Sequence, residues 1–162
     1  MDDRSLEVET MKWVLRIAVA ATVAFALWRA YQWLFVTDEM RIQRQISVMA
    51  SAVEKGDLVR LSNALASDYS DDWGLDKSTL LGAVHSYRTQ YEPIFIHISD
   101  LTVTVDPDHQ KAQAVFIAKI IAKARGSASN SEAREERFRL YFRKNDSVWE
   151  LVRAESPELK FD

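Results

Sequence analysis

Four aspartates fall within the nine residues "DYSDDWGLD": Asp68, Asp71, Asp72 and Asp76. Carboxylates clustered in this way are calcium-ligand chemistry. The EF-hand pattern fails, because Trp73 stands where that loop needs glycine and Thr79 where it needs glutamate. Turn formation and helix capping account for these acids better. Around them lie Tyr69, Trp73, Tyr87 and Tyr91, the candidates to line a pocket for a small apolar ligand. A general base would have to be a carboxylate or histidine aimed into that pocket. Asp100 is the carboxylate considered for this role, because it falls where a strand is expected to bulge and re-aim a side chain. His97 is out of phase with Ile96 and Ile98 and belongs to an outer face, while His85 flanks a helix. No residue is assigned as catalytic, and the strand interiors read as Ala, Val, Ile, Leu and Phe. That absence argues against an enzyme.

A second set is basic. Lys119, Lys123, Arg137, Arg139 and Arg143 alternate with apolar residues on neighbouring strands, opposed by Glu135 and Glu150. They form either an ordinary solvated face with cross-strand ion pairs or a stripe that docks an acidic partner.

The totals narrow the chemistry. Among 162 residues, 21 Lys and Arg face 24 Asp and Glu, a net charge of -3. A nucleic-acid partner would call for a basic excess, so none is expected. The chain has no cysteine, which removes disulfides, thiolate zinc, iron–sulfur clusters and a Cys nucleophile. Its three histidines are too few for a multi-His metal site to be expected, and no cofactor is expected either.

The elements that must position these residues follow from periodicity. Ile42, Ile46, Met49 and Val53 recur at helical spacing. Asp57 caps a second helix over "DLVRLSNALASDY", with Leu58, Leu61 and Leu65 on one stripe. Asp76 caps a third, which carries Leu80, Val84, Tyr87 and Tyr91 and ends at Pro93. After Pro93 the period becomes two. In "IFIHISDLTVTV" the apolar phase slips at Ser99-Asp100, the mark of a β-bulge. Three more strands follow: "KAQAVFIAKIIAKA", "EERFRLYFRKN" and "SVWELVRAES". The segment "GSASNSEA", Gly126 to Ala133, reads as a hairpin loop.

The N-terminal stretch "MKWVLRIAVAATVAFALWRAYQWLFV" reads differently. From Trp13 to Trp33 a helix would rise about 30 Å, the thickness of the bilayer core. Trp13 lies at one end, and Trp28, Tyr31 and Trp33 lie at the other. Arg16 and Arg29 sit where long side chains reach the membrane interface. The expectation is an uncleaved span over 12–36 after a polar tail over 1–11. A cleaved signal is the weaker reading, because "AVA" and "AFA" lie inside the apolar run. The expected location is a single-pass protein of the cytoplasmic membrane, tail inside, with the domain 37–162 extracytoplasmic.

Helices followed by strands mean α+β: an N-terminal transmembrane helix, then three helices packed on a curved four-stranded antiparallel sheet. That order resembles the nuclear-transport-factor-2-like superfamily of cystatin-like cones, on the wording "LASDYSDDWGLDKSTLLGAV" followed by a bent strand, over about Asp38 to Pro157. Function does not follow from this fold. The resemblance implies either a non-catalytic assembly domain or a small-ligand enzyme such as a cyclase, dehydratase, isomerase or hydrolase. Enzymes of the superfamily carry inward sets such as Tyr with two Asp, or an Asp-Arg-Asp relay, and neither set is placed here. The resemblance also implies a sheet face that mediates dimers. The expected function is therefore a membrane-anchored interaction or assembly module. Its partners would be the bilayer and a protein or second copy on the sheet face. The alternative is a tethered small-ligand-binding protein, or a lyase- or hydrolase-like enzyme using the cone pocket.

Overall fold

The structure, a computed structural model, describes residues 17–29, 37–126 and 131–156. The chain divides into two compact units, Met1–Thr37 and Asp38–Asp162.

In the first unit, residues 17–29 form helix α1. Among the described residues no helix is long and apolar enough to cross a membrane. This overturns the expected transmembrane helix over 12–36, and with it the expected single-pass location with an extracytoplasmic domain. Trp28 and Arg29 of α1 are exposed. Trp13, Arg16, Tyr31 and Trp33, the other expected interface residues, lie outside the described residues.

The second unit begins with α2 (Asp38–Lys55), acidic in its first turn and basic in its last, as the helix dipole favours. Ile42, Ile46, Met49 and Ala52 form its buried stripe. Its N-terminal Asp38 is a hub. The carboxylate accepts from Lys144 Nζ at 3.1 Å and Trp149 Nε1 at 3.1 Å, and lies 3.1 Å from His109 Nδ1. Burial opposes ionisation there, but the Trp149, Lys144 and His109 contacts outweigh it and hold the Asp38 carboxyl below its usual range.

Helix α3 (Leu58–Ala64) starts on the Asp57 cap, whose side chain accepts from the Arg60 amide at 2.9 Å. It ends earlier than expected. Leu65–Asp71 is strand β1, where the sequence reads as the end of the second helix. Helix α4 (Lys77–Gln90) carries the expected Asp76 cap, closed reciprocally by Thr79. Strands β2 (Tyr91–Val105), β3 (Lys111–Ala124), β4 (Ser131–Asn145) and β5 (Val148–Glu155) complete the unit.

The sheet order is β1-β5-β4-β3-β2, with β1 parallel to β5 and the remaining pairs antiparallel. The class is α+β, but the sheet is five-stranded and mixed and the described chain has four helices. The expected four-stranded antiparallel sheet with three helices behind a membrane span is corrected accordingly. The reason is tertiary. "NALASDY" has helical local preferences, yet Leu65 pairs with Leu151 and Asp71 with Ala154, and Leu65, Ala66 and Tyr69 are buried by that pairing.

Alternation sets the faces of the sheet. Ala112, Ala114, Phe116, Ala118 and Ala122 of β3 face the core with Leu140 and Phe142 of β4. The small alanines leave room for Ile42, Ile46 and Met49 of α2 in the same cluster. In β2 the register shifts between Ser99 and Thr102, as the phase slip implies, and Asp100 adopts φ 52°. The shift keeps Ile94, Ile96 and Ile98 on the same face as Val103 and Val105. At the free edge of β2, the Ile96 amide donates to Glu54 Oε1 of α2 at 2.7 Å, satisfying a group an edge strand leaves open.

Candidate functional site

A cleft of about 250 Å³ opens between the helices and the core face of the sheet. Its apolar wall is Val53 of α2, Ile94 and Ile96 of β2, and Ile120 of β3. Tyr87 of α4 closes one side, and Glu132, Arg134 and Glu136 of β4 supply its polar groups. These three follow from strand geometry. Even positions of β4 face inward, so the alternation that buries Leu140 and Phe142 also turns Glu136, Arg134 and Glu132 toward the cleft.

The polar groups are connected. Tyr87 and Tyr91 stack with ring centroids 4.5 Å apart. The Tyr91 hydroxyl donates to Glu132 Oε1 at 3.4 Å. Arg134 Nη1 lies 4.0 Å from Glu136 Oε1, and the Glu136 side chain is only 15% exposed. Burial, then the neighbouring Tyr91 and the Glu132 charge, push the Tyr87 hydroxyl above its usual range, against a smaller opposing effect of Arg134. Tyr87 therefore stays protonated at neutral pH and is a hydrogen-bond donor. The cleft thus offers a hydroxyl donor, two carboxylate acceptors and a guanidinium above an apolar floor. Its volume is slightly under the roughly 300–1,000 Å³ of ordinary ligand sites, so it suits a small molecule.

No family model matches the sequence, and no curated protein is similar to it in sequence. Solved structures are similar in shape. A protein of Novosphingobium aromaticivorans provisionally assigned as a scytalone dehydratase aligns with a TM-score of 0.65 at 12% identity, over 72% of this chain and 80% of that one. Another from the same organism, provisionally assigned as an aromatic ring hydroxylase, aligns at 0.66 and 14% identity, over 76% and 90%. A third from that organism, an NTF2-like protein with a cystatin-like fold, aligns at 0.62 and 17% identity, over 78% and 85%. The fold is a cystatin-like cone. It is a fold compatible with binding or transforming a small ligand.

The cone brings some of the sequence candidates together and separates others. Tyr87 lines the cleft, and Tyr91 reaches it through the stack and Glu132. Tyr69 is 3% exposed in the core, its hydroxyl donating to Asp71 Oδ2 at 3.3 Å, and burial raises its pKa well above the usual range. Trp73 packs edge-on against Phe138 at 6.5 Å. Asp100 sits exposed at the bulge and does not line the cleft.

The other acids have structural partners. Asp71 accepts from the Trp73 and Leu75 amides, and Asp76 from the Thr79 amide. Asp68 takes both guanidinium nitrogens of Arg143 at 2.7 and 2.9 Å, and Asp72 pairs with Arg153 at 2.7 Å. Among the described residues no group of three or more acids and histidines could hold a metal ion.

Of the basic stripe, Arg139 pairs with Glu155 at 3.6 Å and Arg143 with Asp68. Lys119 and Arg137 lie on the outer face of the sheet, opposite Glu135 and Ile117 respectively, and Lys123 lies opposite Ser131.

Glu132 and Arg134 escape a reading that starts this strand at Glu135 and places Glu132 and Ala133 in a loop, and Glu136, inside that strand, escapes a reading that takes its interior face as wholly apolar. The strand begins at Ser131, because Ser131 to Glu136 pair with Lys123 to Ala118. Carrying the alternation of Phe138, Leu140 and Phe142 backward by three more even positions would have found all three.

Proposed function

We propose that the cone binds a small, largely apolar molecule in the cleft, oriented by Tyr87 and by Glu132, Arg134 and Glu136. One observation carries this reading: a tyrosine hydroxyl, two carboxylates and a guanidinium line the same apolar cleft. The expectation of an interaction module rested on an interior without inward polar groups, and these four side chains shift the weight to a ligand. A tyrosine donor and carboxylate acceptors lining one cleft also suit lyase or hydrolase chemistry. A carboxylate can take a proton while a hydroxyl steadies charge developing on a neighbouring oxygen. The structural neighbours provisionally assigned as a dehydratase and a ring hydroxylase favour a ring-bearing ligand.

The test is an NMR screen of the full chain against small aromatic alcohols, ketones and carboxylic acids. Expected hits shift the amides of Val53, Tyr87, Ile94, Ile96 and Glu136 together, and Tyr87→Phe weakens them. Hits confined to the outer sheet face, or none that saturate, would sink the proposal.

A protein partner or second copy on the outer sheet face is a second reading. It is favoured by Phe95 and Ile121, facing neighbours on β2 and β3 that stay 58% and 38% exposed.

A further inference from the structure

A second depression, of about 280 Å³, lies where the ends of α2 and α4 meet the end of β3. It is lined by Lys55, Gly56, His85, Arg88, Thr89 and Arg125. Lys55, Arg88 and Arg125 bring three cations together on a chain whose net charge is -3. Two carboxylates lie nearby: Glu92, paired with Arg88 at 3.4 Å and with Arg125, and Glu54, which lines an adjacent depression with Lys55 and Arg88 and accepts from the Ile96 amide. Three cations against two carboxylates leave a local excess of positive charge, and the side chains of Lys55 and His85 have no ion pair or hydrogen bond among the described residues.

The usual reason for basic side chains at helix ends is to bond the last carbonyls. Here backbone amides already serve several of those carbonyls. Ala52 and Val53 accept from the Asp57 and Gly56 amides, Tyr87 from the Tyr91 amide, and Gln90 from the Arg125 amide. The cationic groups are therefore left with donors to spare, since a guanidinium alone carries five N–H groups.

The depression is also shaped around one of them. The Arg88 side chain is only 18% exposed, and a Cβ at Gly56 would lie 3.2 Å from its Nε. Gly56 has φ +70°, so the left-handed turn that ends α2 also lets the guanidinium lie against the backbone. Glu92 holds Arg88 and Arg125 from the other side. A fixed guanidinium and a nearby ammonium offer charge and donors to an oxyanion, and phosphate, with more charge and more acceptor oxygens than a carboxylate, can engage more of them at once.

We infer that this depression binds a small phosphate-bearing anion, through Lys55, Arg88 and Arg125. The site is concave and separate from the Tyr87 cleft in its polar residues, so it stands or falls independently of the ligand proposed there.

The experiment titrates the full-length protein with inorganic phosphate, followed by amide NMR, with acetate and with vesicles containing phosphatidic acid as parallel arms. Phosphate is expected to give saturable shifts at Lys55, Gly56, Arg88 and Arg125, stronger than acetate and weakening as salt rises. Arg88→Ala and Lys55→Ala are expected to weaken binding roughly tenfold or more, the usual cost of losing a charged hydrogen bond, whereas Lys111→Ala leaves it unchanged. Lys55 is exposed, so Lys55→Ala carries the test should Arg88→Ala fail to fold. Gly56→Ala is expected to weaken phosphate binding while every charge is retained. Equal binding by wild type and Lys55→Ala, acetate binding as tight as phosphate, or vesicle capture without a saturable phosphate shift would each overturn the inference.

Discussion

The Tyr91 hydroxyl meets Glu132 Oε1 at 3.4 Å, joining residues 41 positions apart across the cleft. Tyr91 ends α4 and begins β2, whereas Glu132 is the second residue of β4. The contact ties the helix that carries Tyr87 to the strand that carries Arg134 and Glu136.

Tyr87→Phe removes the protonated donor and keeps the ring stacked on Tyr91. Affinity for a hydrogen-bonding ligand of the cleft should fall about five- to tenfold, the worth of one neutral hydrogen bond of about 1 kcal/mol. The melting temperature should barely change. Calorimetric titration with a hit from the NMR screen, alongside a thermal melt, checks both parts. A large loss of stability with unchanged affinity would make Tyr87 a packing residue.

Glu136→Gln should cost more than Glu132→Gln, because Glu136 is the more buried carboxylate and lies beside Arg134. If the cleft performs proton transfer, Glu136→Gln should reduce turnover of a found substrate by at least about a hundredfold, the usual share of a general acid or base. If it only binds, affinity alone should respond.

Asp76 makes an acid-dependent contribution to stability. The Thr79 amide, then the Thr79 hydroxyl and Ser78, hold its carboxyl at about 2, against about 3.9 for an unfolded aspartate. A folded value below the unfolded one stabilises fully above about pH 4, and that contribution disappears as the pH falls through about 2. Asp76→Ala should lower the melting temperature at neutral pH by a few degrees and flatten its dependence on pH between those limits. Asp76→Ser should restore much of the melting temperature but not the acid dependence. Melts across a pH series separate the two.

Asp38→Ala leaves Lys144 Nζ and Trp149 Nε1 without their acceptor. A loss of about 2 kcal/mol in denaturant unfolding is expected from those stranded donors. The Asp38 carboxyl sits below its usual range, so the stability it supplies is present at neutral pH and is lost as the carboxyl protonates in acid. Asp38→Asn, which keeps an acceptor, should lose less.

Phe142 is 1% exposed at the centre of the core. Phe142→Ala should cost about 3–5 kcal/mol through lost burial and the cavity it leaves. Urea unfolding measures it directly. A loss under about 1 kcal/mol would mean that the sheet face is not packed as described.

Local pattern was enough for much of this molecule. The stripe of Ile42, Ile46 and Met49, the caps at Asp57 and Asp76, the change of period after Pro93 and the bulge near Asp100 are short-range signals. They come from side-chain spacing and backbone chemistry within a few residues, so they are legible without a fold. The boundary at Ala64 is not of that kind. "NALASDY" becomes strand because β5 offers an edge to pair with, and β5 lies more than eighty residues further along the chain. The apolar stretch Met11 to Val36 misled in the other direction. Apolar composition alone does not make a span, and among the described residues no helix is long and apolar enough to cross a membrane.

The same division holds for the two sites. Residue types and alternation determined that Glu132, Arg134 and Glu136 would share a face once their strand was recognised, and that Lys55 and Arg88 would close their helices. Only the tertiary structure decided that the first three meet Tyr87 and that the second two meet Arg125. Those meetings depend on how α4 and the long β3–β4 pair are set against one another. Spacing along a chain fixes which way a side chain points, whereas packing across the chain decides what it faces.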